Sequence, residues 1–229
     1  VGPELPPPEL PPKVAAYRAD FRREEIGAGY RDWTGWLHLG VITAGVAVGI
    51  AVLASRLEHV GAIELLALPG GYVFANVVEY VVHRWLMHVP RGALRRMYKR
   101  HTGQHHRFFT DRAMTTDSGR DFAIILFPPF VVVFFLGLIA TPVAAVLTWL
   151  VGLDAGLLFG IVALSYFLFY EWMHLASHLP PDGLLGRLPG VRFVREHHRV
   201  HHDPRRMRHY NFNITVPLTD WMLGTLWRG

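Results

Sequence analysis

An all-α integral membrane protein is the fold class this sequence predicts: four transmembrane helices in two hairpins, closed on the cytoplasmic side by a histidine-rich helical cap. Three observations carry that reading. Of 229 residues, 51% are hydrophobic and 13% aromatic, which is more apolar than a soluble domain of this length. Uncharged runs long enough to cross a hydrocarbon core of about 30 Å recur along the chain. Eleven of the fourteen histidines fall in four tight groups: HRWLMH (His83–His88), HTGQHH (His101–His106), HLASH (His174–His178) and EHHRVHH (Glu196–His202).

In chain order, residues 1–12 hold six prolines and read as a mobile polyproline-like tail. Lys13–Ile26 reads as a helix with Val14, Tyr17 and Phe21 on one side and Arg18, Arg22 and Arg23 among the rest. It lies either in the bilayer interface or in water. Residues 1–31 are thus a tail and an interfacial helix, ahead of a single membrane-embedded domain over 32–229. Trp33–Ser55, 23 residues without a charge, is the first crossing. The second, roughly Ile63–Val82, is interrupted by Leu68-Pro69-Gly70-Gly71, so its helix is expected from about Gly71 and delivers His83 at its inner end.

Residues Arg84 to Arg120 carry nine Lys or Arg and two histidine groups, and belong in water or at the interface. Phe122–Leu153 is uncharged throughout, and as one helix would be about 48 Å long, more than a bilayer needs. Pro128, Pro129, Pro142 and Gly152 are the expected places to bend or break it. Asp154-Ala155-Gly156 is the expected turn, and Leu157–Tyr170 returns as an apolar helix into Glu171 and His174.

Four crossings satisfy two constraints. The histidine groups can meet only if an even number of crossings separates His106 from His174. Lys and Arg crowd residues 13–31, 84–120 and 187–208 and almost vanish from the loops near 57–62 and 141–154, which puts both termini and every clustered histidine in the cytoplasm. A net charge of +5 segregated in this way sets topology and does not suggest nucleic acid.

With no cysteine, disulfides, iron–sulfur clusters and thiolate zinc sites are excluded. A metal would be held by nitrogen and oxygen. On an ideal helix His101 and His105 share a face, as do His174 and His178, and His198 with His201 and His202. Such pairs can aim two imidazoles at one point. His83 and His88, five apart, point about 140° away from each other, so they share a site only if the helix ends between them, or else serve different ions. His106, five after His101, raises the same alternative. The metal-ligand candidates are His83, His88, His101, His105, His106, His174, His178, His198, His201 and His202, too many for one ion and about right for two. His197 has poorer spacing than His198, and His38, His59 and His209 stand alone. Glu79, Glu171, Asp203 and Asp220 either accept an imidazole N–H or pair with a nearby Arg.

EYVVHRWLMH, HTGQHH, EWMHLASH and EHHRVHH, followed by NFNITVPLTDWMLGTLW, resemble the histidine boxes and C-terminal signature of the fatty acid hydroxylase/sterol desaturase superfamily of membrane di-iron enzymes. The likeness spans about Glu79 to Trp227. GQHH after an HRxLMH box, with FPP at Phe127–Pro129, looks closest to the fatty acid 2-hydroxylases; carotenoid hydroxylases share similar boxes, and sterol oxidases and desaturases belong to the same set. The resemblance implies two iron ions, replaceable by zinc in overexpressed protein, with O₂ as co-substrate and a C–H bond of a membrane lipid as target. Imidazole alone does not select iron, since it suits Zn, Cu and Ni as well. The first 31 residues are too short for a cytochrome b5-like domain, so the expected electron donor, a ferredoxin or a cytochrome b5-like protein with its reductase, is separate. Arg91, Arg95, Arg96, Lys99 and Arg100 would dock an acidic carrier, hold an anionic head group or anchor to anionic lipid. Rival classes are a membrane metal carrier, whose ligands would line a path through the bilayer, and a bis-histidine haem protein, for which the doublets are superfluous.

Overall fold

The computed structural model describes residues 10–229, so most of the proline-rich tail lies outside the described residues. Its named elements are all helical. Four helices are long and apolar enough to cross a membrane: Asp32–Ala54, Ala62–Met87, Gly119–Leu150 and Leu153–His178. Trp33, Val48, Ile63, Leu138 and Trp149 on these helices are each more than half exposed, as fits surfaces that face lipid. The fourth span packs against the first, the second and the outer half of the third. Polar contacts fix those pairings: Trp172 Nε1 donates to Thr43 Oγ1 at 3.1 Å, and Asn76 Nδ2 to the Tyr166 hydroxyl at 2.9 Å. At Gly35 the first span comes so close to Gly119 that a Cβ would sit 2.0 Å from the Gly119 carbonyl oxygen.

Two boundaries differ from expectation. The second helix begins at Ala62 and not near Gly71, because Pro69 falls in the first turn of the segment Ala67–Val81. There its missing N–H costs little. The turn into the fourth span is at Gly152, which takes φ 144°, so Asp154-Ala155-Gly156 form the first turn of Leu153–His178. Asp154 stays at that helix start because its carboxylate accepts the Glu58 and His59 backbone N–H groups at 3.2 and 2.7 Å. The third span does break near Pro128, where helical Phe122–Ile125 gives way to extended backbone and resumes at Pro129. Pro142, by contrast, is absorbed at the start of Thr141–Leu150 after a π-helical stretch, Val133–Ala140.

A layer over one end of the spans is built from a helix over residues 95–108, a second helix Pro189–His201, and a C-terminal loop closing in the short helix Leu218–Met222. The N-terminal helix Pro12–Phe21 packs on this layer. Arg18 is fully buried there, with Phe21, and not on a side apart from it. Its guanidinium donates to the carbonyls of Phe108, Thr115 and Ala113 at 2.8, 3.0 and 2.6 Å, pairing backbone acceptors at a helix end and in the loop that follows it.

Candidate metal centre

Four helix ends deliver the histidines. The second span ends in a π-helical turn, Val82–Met87, that carries His83 and leads into His88. The cap helix carries another, His101–His105, leading into His106. The last two turns of the fourth span present His174 and His178, and the end of Pro189–His201 presents His198, His201 and, at its C-cap, His202.

The two π turns resolve the five-residue spacings. A π turn closes i to i+5 instead of i to i+4, which brings residues five apart toward one face. His101 and His106 accordingly meet Nε2 to Nε2 at 3.1 Å, and the His83 and His88 ring centroids lie 5.1 Å apart. His101 and His105, four apart, stack at 5.2 Å but belong to different groups of possible ligand atoms. Two groups of possible ligand atoms result, each within 4.8 Å of one another: His83, His88, His101, His106 and His201, and His105, His178, His198 and His202. His174 stands beside the second group, its Nε2 3.3 Å from that of His105. All ten candidates are buried.

The outer ring nitrogens show what the inner ones can do. Nδ1–H of His83, His105, His178, His201 and His202 donates to the carbonyls of Phe212, Ile124, Met114, Tyr210 and Phe109 at 2.5 to 3.2 Å. His88 Nδ1 is 3.1 Å from the Thr102 hydroxyl, whose one proton goes to the Met87 carbonyl at 2.6 Å, so Nδ1 must donate. These bonds fix the tautomer and leave Nε2 a bare lone pair. Burial pushes the His88, His101, His105, His106, His198, His201 and His202 imidazoles well below the usual range, which keeps them neutral. Inward-facing neutral imidazoles and no thiolate make a donor set that fits Fe, Zn, Cu or Ni. Among the described residues, buried Nδ1 of His106 and of His198 has no protein partner.

The model of the fatty acid hydroxylase family matches residues 68–225, which includes every one of these histidines. The chain belongs to the fatty acid hydroxylase family. A comparison with curated proteins gives no match. Among solved structures the chain resembles full-length Scs7p, in which only the hydroxylase domain is visible, with a TM-score of 0.58 and 18% identity over 85% of this chain and 67% of that one. At that identity the likeness speaks for the fold.

In this fatty acid hydroxylase family member the four carboxylates act elsewhere than at the histidine rings. Glu79 accepts from Tyr166, Thr215, Asn213 and the backbone of Ile214 and Thr215, and Glu171 from the Phe127 backbone N–H at 3.1 Å. Asp203 pairs with Arg205 and Arg206. Asp220 holds the Phe212 and Asn213 backbone N–H groups at 3.0 and 2.7 Å and lies 4.0 Å from His197, whose Nε2 bonds the Asn213 carbonyl. Asp220 therefore bears on the ligand candidates through Phe212, whose carbonyl receives His83. Glu79 does not pair with an Arg either; a buried polar loop, 211–219, takes that place. Asn76, fully buried in the second span and bonded to Val216 and Thr219, was missed in the sequence. An amide inside an apolar run was the available signal.

An apolar groove, partly open to the outside, runs between the second, third and fourth spans. Phe74, Val78, Ile139, Phe159 and Phe167 line it, and His83 stands in its wall.

Proposed function

We propose that this chain hydroxylates an unactivated C–H bond of a membrane lipid, a fatty acyl chain above all, using O₂ at two histidine-held iron ions. The observation that carries this reading is the meeting of ten convergent imidazoles with an apolar groove walled by spanning helices. Two iron ions would supply reductive activation of O₂: one oxygen atom enters the C–H bond, the other leaves as water, and two electrons and two protons are consumed.

The residues do the rest. His83, His88, His101, His106 and His201 hold one ion; His105, His178, His198 and His202, with His174 beside them, hold the other. Backbone carbonyls keep Nε2 of His83, His105, His178, His201 and His202 free of its proton, and the groove keeps the chain oriented and water out. Zinc would fill the same positions in overexpressed protein. The electrons would come from a ferredoxin or cytochrome b5-like carrier with its reductase, for which Arg91, Arg95, Arg96 and Lys99 offer an exposed basic face. Arg100 is turned inward, donating to the Ala123 and Leu126 carbonyls, and is withdrawn from that face. Both termini and the histidines lie on the cytoplasmic side, as the Lys and Arg distribution supports.

The test is iron-loaded protein given membrane lipids, O₂ and a reducing system, with metal content and lipid products measured together. Two ions per chain and a hydroxylated acyl product are expected. Protein that holds iron yet leaves every lipid unchanged would end the reading. Single cysteines at exposed Arg112 and Arg205 should label from the cytoplasm, and one at His59 from the opposite side.

A further inference from the structure

Beyond the groove lies a second, smaller space, walled by His101, His105, His174, Arg100, Met97 and Val131. His101 belongs to one histidine group and His105 to the other, so this inner chamber faces both centres. The groove touches the candidate ligands only at His83. Two residues line both spaces, Met87 and Phe127.

They are held very differently. Met87 is an unbranched, adaptable side chain. Phe127 sits at the break in the third span and is fixed from several sides. Its ring stacks on Tyr170 at 4.9 Å and 12°. Its backbone N–H is held by buried Glu171, the preceding carbonyl by Arg100, and Pro128 restricts its backbone from the other side. A break inside an apolar span leaves backbone groups that lipid cannot satisfy. Here a buried carboxylate and a guanidinium serve the segment that carries one aromatic ring.

Resting on the reading that the groove takes an acyl chain, we infer that Phe127, backed by Met87, sets which carbon of that chain enters the inner chamber. The chain passes from groove to chamber between the ring and the thioether, and the ring limits how far it slides. Glu171 is a positioning residue: its carboxylate hydrogen-bonds the Phe127 backbone N–H and no histidine, and it acts by fixing that backbone.

The experiment compares iron-loaded wild type with F127A, F127L, F127W and M87A, locating the hydroxyl group in each product by mass spectrometry. Apolar sites discriminate a one-methylene difference by a factor on the order of ten or more. F127A and F127L should lower that discrimination toward one, spreading product over neighbouring carbons, while F127W loses turnover but keeps its metal. E171A should spread product as F127A does, and E171Q, which still offers an acceptor, should restore the wild-type position. A readout independent of turnover is crosslinking by fatty acids bearing a photoactivatable diazirine. Wild type should be labelled at groove residues and at Ile124 and Val131 of the chamber, and F127W in the groove alone. Unchanged hydroxyl positions in metal-replete F127A and F127L, or equal chamber labelling in F127W, would overturn the inference. If wild type hydroxylates no lipid, the proposed function fails, and the crosslinking still decides the gate.

Discussion

His88 and His201 present their Nε2 atoms to each other at 2.9 Å, although each ring has already committed its Nδ1 proton, His88 to Thr102 and His201 to the Tyr210 carbonyl. Two neutral imidazoles in that state oppose lone pair to lone pair, which is not a hydrogen bond. Burial holds both well below the usual imidazole range, so a shared proton does not relieve the contact at neutral pH. A cation between them does.

Metal removal should therefore destabilise the fold and not merely silence it. A ligand that binds the folded state a hundredfold above its dissociation constant adds about 2.7 kcal/mol. Stripping the protein with a chelator should lower its thermal midpoint in detergent by several degrees, and iron or zinc should restore it. An unchanged midpoint after verified removal of the metal would count against a metal centre at these histidines.

Acid should weaken the metal-free protein in a defined window. The seven cap imidazoles named above have folded-state values far below the value of about 6.5 they regain on unfolding. Between those limits the unfolded chain binds more protons, so stability falls as pH falls below about 6.5, by roughly 1.4 kcal/mol per pH unit for each group that titrates only when unfolded. Above that pH these groups add no slope. Midpoints measured from neutral pH downward should be flat at first and then drop steeply; a flat profile to about pH 5 would contradict the buried neutral assignment.

Histidines inside and outside the groups should separate cleanly. His105 and His202 each pair a carbonyl-bound Nδ1 with an inward Nε2, and replacing either with Ala opens a position that no thiolate can fill. H105A and H202A should lose bound metal and oxidation. His38 is half-buried near Tyr30, and the His59 side chain is 91% exposed, so H38A and H59A should keep both. Full activity in H105A and H202A would place the chemistry elsewhere.

The spans and the histidine set were legible because each depends on side-chain type: lipid demands uncharged runs, and ligation demands imidazoles at helical spacing. The partition of histidines was not. It turns on π turns at Val82–Met87 and His101–His105, which move His88 beside His83 and His106 beside His101, and no residue type marks those turns. Nor were the acceptors that orient the rings legible. Phe212, Ile124, Met114, Tyr210 and Phe109 contribute backbone carbonyls, which any residue has. Carboxylates were the sequence's visible candidates for that task, and the fold uses Glu79, Glu171 and Asp220 one step further out, to hold backbone. Arg18 was misread for a similar reason, since its partners are carbonyls of a loop ninety residues away.

Glu79 gives the sharpest test of that indirect role. Its two oxygens accept Ile214 and Thr215 backbone N–H at 2.5 and 3.2 Å and the hydroxyls of Tyr166 and Thr215 at 2.5 and 2.8 Å, all buried. The loop so fixed continues back to Phe212, whose N–H is held by Asp220 and whose carbonyl receives His83 Nδ1. E79Q keeps the shape but sets an amide donor against N–H and O–H donors. Hydrogen bonds to a charged group are worth about 1.5–3 kcal/mol each, so the thermal midpoint should fall clearly. Loosened support for a ligating imidazole typically costs about 10–100-fold in metal affinity, and that loss is expected here although Glu79 touches no histidine. D203A is the control, since Asp203 pairs only with Arg205 and Arg206 near the surface and should leave metal affinity close to wild type. Metal affinity by competition with a chelator, read beside the thermal midpoint, separates the two. Wild-type affinity in E79Q would mean that the C-terminal loop supports the fold without tuning the centre.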